Sequence, residues 1–183
     1  IGTSFPNQSN KFTVAAEQPP ASATLSITQE NPPAGYAAPN SETEVMKLNF
    51  KAEEGNVTIE KLAFALSENS TAIETDVASI SFFENGELIG IIGMEADLEN
   101  GKTTIMYTFD PTNFVVKKGE PKQLVIKANI SQQASLGEKF KLLFAPTIFS
   151  KAHDSKNNTV EINPLQGVMG NEFTIGTAPN SQP

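Results

Sequence analysis

The chain has no cysteine, no tryptophan and one histidine, and all 13 of its basic residues are lysine. Each absence closes a class of function. Without cysteine there is no disulfide framework, no thiolate metal site and no thiol nucleophile. The lack of cysteine is neutral on compartment, because a domain this long builds a sufficient core without disulfides. Basic charge is scarce too: 13 Lys stand against 21 Asp and Glu, a formal charge of −8 over 183 residues. A duplex nucleic-acid binder needs a basic face that releases counterions, whereas this surface is acidic on average. The longest run of apolar and glycine residues, 88–94, is far too short to cross a bilayer. A basic N-terminal region followed by an apolar stretch is also missing, so any secretion signal is expected to be removed or to lie outside these residues.

What is present is enough to build a core: 38% hydrophobic residues and 12 Phe. Almost every patterned segment alternates with period two, the strand signal. Residues 24–28 are apolar at Leu25 and Ile27, and residues 43–52 place Met46, Leu48 and Phe50 on one face. Residues 122–130 turn Leu124, Ile126, Ala128 and Ile130 inward, and residues 139–149 continue with Phe140, Leu142, Phe144 and Ile148. In residues 57–66 the apolar parity switches across Glu60 and Lys61, which predicts a β-bulge. Asn85-Gly86 and Asn100-Gly101 are the preferred pair of a tight type I′ hairpin. Lys117-Lys118-Gly119-Glu120-Pro121 marks a third turn. Only residues 70–78, with Ile73 and Val77 four apart, hint at a helical turn. About eight or nine strands at this spacing predict an all-β, antiparallel sandwich.

Both ends read as linkers. Pro19-Pro20 and Pro32-Pro33 frame the first strand, and residues 177–183 are small, polar and proline-bearing. Asn10-Lys11-Phe12-Thr13-Val14 is echoed by Asn171-Glu172-Phe173-Thr174-Ile175, 161 positions later. A fixed-period echo is the mark of a tandem array. The expected organisation is an N-terminal extension over 1–20, one sandwich over 21–176 and a C-terminal linker over 177–183. The extension is then the last strand of a preceding repeat, or a donor strand. The short match also fits coincidence.

The order of segments resembles a known family. Ala23-Thr24-Leu25-Ser26-Ile27 is followed by residues 44–52 and then by Asn56-Val57-Thr58-Ile59. Residues 77–86, 114–119, 122–131 and the closing 170–175 continue the series. Together they resemble an immunoglobulin-like repeat module of large bacterial cell-surface and surface-layer-like proteins. The resemblance implies a non-catalytic, extracellular structural module and brings no catalytic residues with it. The long segment 151–169 departs from the pattern and reads as a local decoration.

Few residues offer chemistry. His153 lies beside Asp154 in what reads as a polar loop, Lys151 to Asn158, without a serine elbow, and is expected to be an exposed structural histidine. Glu95, Asp97 and Glu99 alternate, so an extended segment gives all three one face; they suit Ca²⁺ or an acidic sheet edge that discourages pairing. Asp154, Asn157, Asn158 and Glu161 form a second oxygen-rich cluster, without EF-hand spacing. Asn-x-Ser/Thr sequons fall at Asn7, Asn56, Asn69, Asn129 and Asn157, and Asn69, Asn129 and Asn157 are the candidates for glycan. A lysine–asparagine crosslink has Lys61 or Lys127 with Asn129 or Asn163 as nominees, though no motif supports it. With two Tyr and no Trp, the aromatic platforms of sugar sites are thin.

These observations predict no enzyme and no cofactor beyond a Ca²⁺ candidate. The expected partners are neighbouring modules or copies of the same chain, with a glycan as a further candidate. The leading expectation is a structural module of a surface-layer, stalk or filament protein. Strand donation through residues 10–16, carried by Phe12, Thr13 and Val14 with Phe173, Thr174 and Ile175 as their counterpart, is the second. Carbohydrate- or Ca-dependent adhesion is the third.

Overall fold

The structure is a computed structural model that describes residues 22–73, 75–93, 95–97, 104–145, 150–164 and 166–178. Every regular element among them is a strand. The first half of the chain gives β1 (Thr24–Gln29), β2 (Gly35–Ala37), β3 (Glu42–Glu53), β4 (Val57–Leu66), β5 (Val77–Glu84), β6 (Glu87–Gly93), β7 (Glu95–Asp97) and β8 (Thr104–Phe109). The second half gives β9 (Phe114–Val116), β10 (Lys122–Ile130), β11 (Lys139–Phe140), β12 (Leu142–Phe144), β13 (Lys151–Asp154), β14 (Ile162–Asn163), β15 (Val168–Met169) and β16 (Phe173–Ile175). No helix among the described residues is long and apolar enough to cross a membrane.

One sheet runs β14-β1-β3-β10-β5-β6 and the other β15-β12-β4-β8-β7, with β13 and β9 also pairing to β4. A small third sheet runs β11-β16-β2. An immunoglobulin sandwich places strands A-B-E-D in one sheet and C-F-G in the other. Taking β1, β3, β4, β5, β10, β12 and β15 in chain order as A to G reproduces both series. Residues 87–109 are then an insertion between D and E: β6 extends the first sheet beyond D, and β8 with β7 extends the second beyond C. With β6 and β8 the principal strands number nine. Among the described strands the pairs are antiparallel except for β1–β14 and β2–β16, and one isolated parallel bridge joins Ala52 and Lys118.

The two sheets meet through aromatic rings. Phe82 of the first sheet stacks flat on Phe109 of the second, with centroids 4.2 Å apart, and lies 5.3 Å from Phe64. Phe64 also packs on Phe144 at 5.3 Å, and Phe50 meets Phe114 edge-on at 5.4 Å. The inward series of the sequence all belong to this one core: Leu25 and Ile27, Met46, Leu48 and Phe50, Leu124, Ile126, Ala128 and Ile130.

Local details follow the sequence at several points. Glu60 is the bulged residue, because Lys151 lies opposite Lys61 while Ala152 lies opposite Ile59. Asn85 and Gly86 take left-handed φ of 51° and 82° in the two-residue turn between β5 and β6, as a type I′ hairpin requires. The turn at residues 98–103 lies outside the described residues, although β7 and β8 on either side of it pair antiparallel.

Other expectations are corrected. The continuous strand over 139–149 is broken: β11 joins the small sheet and β12 the second sheet, and Ile148 is outside the described residues. At the break, Lys141 N–H donates to Ser70 Oγ and its carbonyl accepts from Ser67 N–H, which fixes the step between sheets. In place of the hinted helix at 70–78, the described residues show a turn in which the N–H groups of Asp76 and Val77 both donate to the Ile73 carbonyl, at 2.9 and 3.2 Å. The buried Asp76 carboxylate holds that loop, accepting from the N–H groups of Ile73 and Ser135 at 2.9 and 2.7 Å. The segment 151–169 is no surface decoration. It pairs with β4 through β13, crosses to β1 through β14 and returns to β12 through β15, burying Val160 and Ile162 on the way.

Gly90 of β6 faces Phe82 in register, and a Cβ built there would land on the Phe109 ring. Gly90→Ala is therefore expected to destabilise the protein by about 1–3 kcal/mol through overpacking, lowering Tm by roughly 5 °C. Gly93→Ala, where an added Cβ meets nothing within 4 Å, leaves Tm nearly unchanged. Thermal melts of the two variants beside the parent chain check this contrast.

Candidate functional site

The closing strand is the best-anchored of the features singled out in the sequence. β16 lies between β11 and β2, and Phe173 and Ile175 are buried in the core. Bonds hold it on both edges. Gly137 N–H donates to the Ile175 carbonyl and Ile175 N–H to the Glu138 carbonyl, both at 2.8 Å. On the other side Gly176 N–H donates to the Ala37 carbonyl at 2.9 Å. Lys139 pairs with Glu172 at 3.0 Å, and that hydrogen bond holds the Glu172 carboxyl below the ordinary carboxylate value. The counterpart residues Phe12, Thr13 and Val14 lie outside the described residues.

Beside the exit of β16 is an open groove of about 370 Å³, lined by Tyr36, Pro39, Leu136, Thr174, Ile175 and Thr177. Tyr36 and Leu136 expose 47% and 72% of their surface, so the point where the chain leaves the sandwich is bordered by uncovered apolar area. Residues far apart in sequence meet here, and no local pattern announced it.

Of the oxygen-rich clusters, Glu95 and Asp97 occupy alternate positions of β7, the edge of the second sheet among the described strands. Glu99 lies outside the described residues. The second cluster is a loop-building device. Asp154 Oδ1 accepts from the N–H groups of Lys156 and Asn158, and Oδ2 accepts from the Asn158 side-chain amide, each at 2.9 Å. Asn157 takes a left-handed φ of 65° in the same turn, and Glu161 is exposed beyond it. Among the described residues no three His, Asp or Glu side chains gather to hold a metal.

His153 is neither in a polar loop nor exposed: it is half-buried in β13, opposite Thr58. Its Nδ1 lies 3.1 Å from Glu60 Oε1, a contact that becomes an ion pair when the imidazole is protonated. The bulge at Glu60 and the neighbouring strand bring the two together.

Asn129 sits on the central strand β10, and its amide nitrogen donates to the hydroxyls of Ser79 and Ser81 at 2.9 and 2.7 Å. That nitrogen is committed within the sheet. Asn69 and Asn157 are exposed in turns. Of the crosslink nominees, Lys127 is held by Glu42 at 2.9 Å and lies over the Phe83 ring, while Asn163 lies in β14.

The sequence scan matches no family model, and no curated protein matches the chain. Among solved structures, AvmM, described as catalysing macrocyclization in alchivemycin A biosynthesis, superposes with a TM-score of 0.46 at 8% identity, over 87% of this chain and 93% of that one. The sixth cohesin of scaffoldin B from Acetivibrio cellulolyticus, solved with a Cel5 dockerin, gives 0.33 at 12% identity, over 86% of this chain and 100% of that one. The C-terminal domain of the AgI/II polypeptide BspA of Streptococcus agalactiae gives 0.32 at 12% identity, over 85% and 50%. All three scores fall below 0.5, so these likenesses carry no argument about this chain.

The Asp154 loop responds to acid in a defined direction. The Asn158 side-chain amide, then the Asn158 backbone N–H, hold the carboxyl below its ordinary value of 3.8. A group whose folded pKa is depressed contributes stability that is present above its unfolded value and lost as pH falls through the folded one. Asp154→Asn is expected to lower Tm by a few degrees at neutral pH. The gap to the parent closes as pH drops well below 3.8. Thermal melts across that range check both halves.

Proposed function

We propose that this chain is a non-catalytic, immunoglobulin-like structural module of an extracellular bacterial surface-layer, stalk or filament protein. The observation that carries the reading is how the terminal strands are tied. β16, from which the chain leaves, runs parallel to β2, with Phe173, Thr174 and Ile175 opposite Gly35, Tyr36 and Ala37. β1, where the sandwich begins, runs parallel to β14. Tension applied to the entry of one strand and the exit of its parallel neighbour slides the pair along its own length. All the cross-strand bonds then resist together, instead of opening one by one. Burial of Phe173 and Ile175 adds core packing to the same grip.

Other features support the reading. The buried carboxylates Asp76 and Asp154 are spent on holding loops, which suits a scaffold. The exposed Tyr36 and Leu136 border the exit, where a following module would sit. The net charge of −8 keeps an array soluble. On this reading residues 21–176 are one module and its partners are neighbouring modules.

A single chain held by its two ends in magnetic tweezers tests the mechanical role. It is expected to unfold in one step that releases roughly 50 nm, the extended length of about 150 residues less the folded span. Phe173→Ala, which removes about 3–5 kcal/mol of packing from the grip, is expected to lower the unfolding force. Opening in several small steps at low force, with Phe173→Ala indistinguishable from the parent, contradicts the reading.

A further inference from the structure

The sheet edges of this protein are unequal. Among the described strands, β14 and β15 are edges of two residues each, and β7 is an edge of three that includes Glu95 and Asp97. β6 has seven residues, pairs among the described residues only with β5, is bulged at Ile89 where Gly90 lies opposite Phe82 and Leu88 opposite Phe83, and carries one charge, Glu87. Leu88 and Ile91 on it expose 51% and 57% of their surface, while Ile89 and Ile92 pack against the core. An apolar edge without lysine or proline offers a row of backbone donors and acceptors to an added strand.

The chain also contains a segment suited to that edge. Residues 10–16, Asn-Lys-Phe-Thr-Val-Ala-Ala, match β6 in length and carry one charge of the opposite sign, Lys11. Their first five residues echo Asn171-Glu172-Phe173-Thr174-Ile175, and the last three of that counterpart form β16. The same pattern therefore makes a strand in this protein. The place of β16 is already filled by its own tethered segment, so the long open edge among the described strands is β6.

We propose that residues 10–16 of one copy add as a strand to the β6 edge of a second copy. From β1 to a strand beyond β6 is five strand spacings, about 24 Å, and the eight residues from Ala16 to Thr24 reach about 28 Å only when fully stretched. The same copy's segment therefore meets its own β6 edge only with this tether drawn almost straight across the sheet, a constraint that a second copy's segment does not carry. The donor and acceptor surfaces are different, so the contact is head-to-tail and propagates. The biological use rests on the structural-module reading, but the association itself is measured independently. The tweezers experiment uses one isolated molecule and is blind to it.

The parent chain has no cysteine, which permits a clean test. Full-length Thr13→Cys and Ile91→Cys chains are mixed and treated with a short bis-maleimide. The expected result is a mixed Thr13–Ile91 dimer formed several-fold over either self-linked dimer. In sedimentation velocity the parent chain grows in size with concentration. Val14→Pro removes a ladder donor and Ile91→Lys charges the edge, and each raises the association midpoint by about tenfold or more. Ile73→Lys, at an exposed apolar position elsewhere, leaves it unchanged. A parent chain that stays monomeric at every concentration overturns the proposal. So does dominance of Ile91–Ile91 links, which marks β6-to-β6 pairing, or a Thr13–Ile91 link within one chain of the double variant.

Discussion

Phe82 is the residue on which the two sheets turn. It belongs to the first sheet, yet its ring lies flat on Phe109 and against Phe64, both of the second. Aromatic pairs add about 0.5–1.5 kcal/mol beyond their buried area, and their shapes leave little room to slide. The stack fixes where β5 crosses over β8 and β4. It also dictates the glycine at position 90, since the strand beside Phe82 must pass over the Phe109 ring without a side chain. The inserted residues 87–109 thus return from the edge of one sheet to the edge of the other around a single clasp.

The opposite side of the sandwich is closed by a different device. Residues 151–169 pair in turn with β4, β1 and β12, so one short stretch stitches both sheets. Polar groups hold the bends: Asp154 with three donors in the turn after β13, and Asp76 beneath the loop before β5. Closing one side by a clasp and the other by a stitch leaves β6, with Glu87 as its one charge, as the long open edge among the described strands. Its openness is a consequence of the architecture rather than of local sequence.

Structure and proposed role connect through the ends of the chain. A terminal strand at a sheet margin peels away under tension, but β16 is bonded on both sides and keyed into the core by Phe173 and Ile175. The groove beside it and the apolar edge at β6 are the two surfaces at which further modules or copies would meet this one. On the proposed role, the organisation of backbone edges carries the function, in place of a chemically special side chain.

Alternation alone determined the all-β class, because a strand with one buried face must repeat every second residue. It also located the Glu60 bulge and the Asn85-Gly86 hairpin, since a parity break and a left-handed pair are both local signals. The immunoglobulin-like order of segments was legible as well. Tertiary structure decided what no local pattern encodes. It split the 139–149 alternation between two sheets and drew the apparent loop at 151–169 into both. It bound the outward Asn129 to Ser79 and Ser81 on the neighbouring strand. Residues 88–93 of the apolar run, read in the sequence only as too short for a membrane, became an edge once the fold assigned β6 a single neighbour among the described strands. Residue periodicity says which side of a strand is buried; only the pairing of strands says which edge is left unpaired.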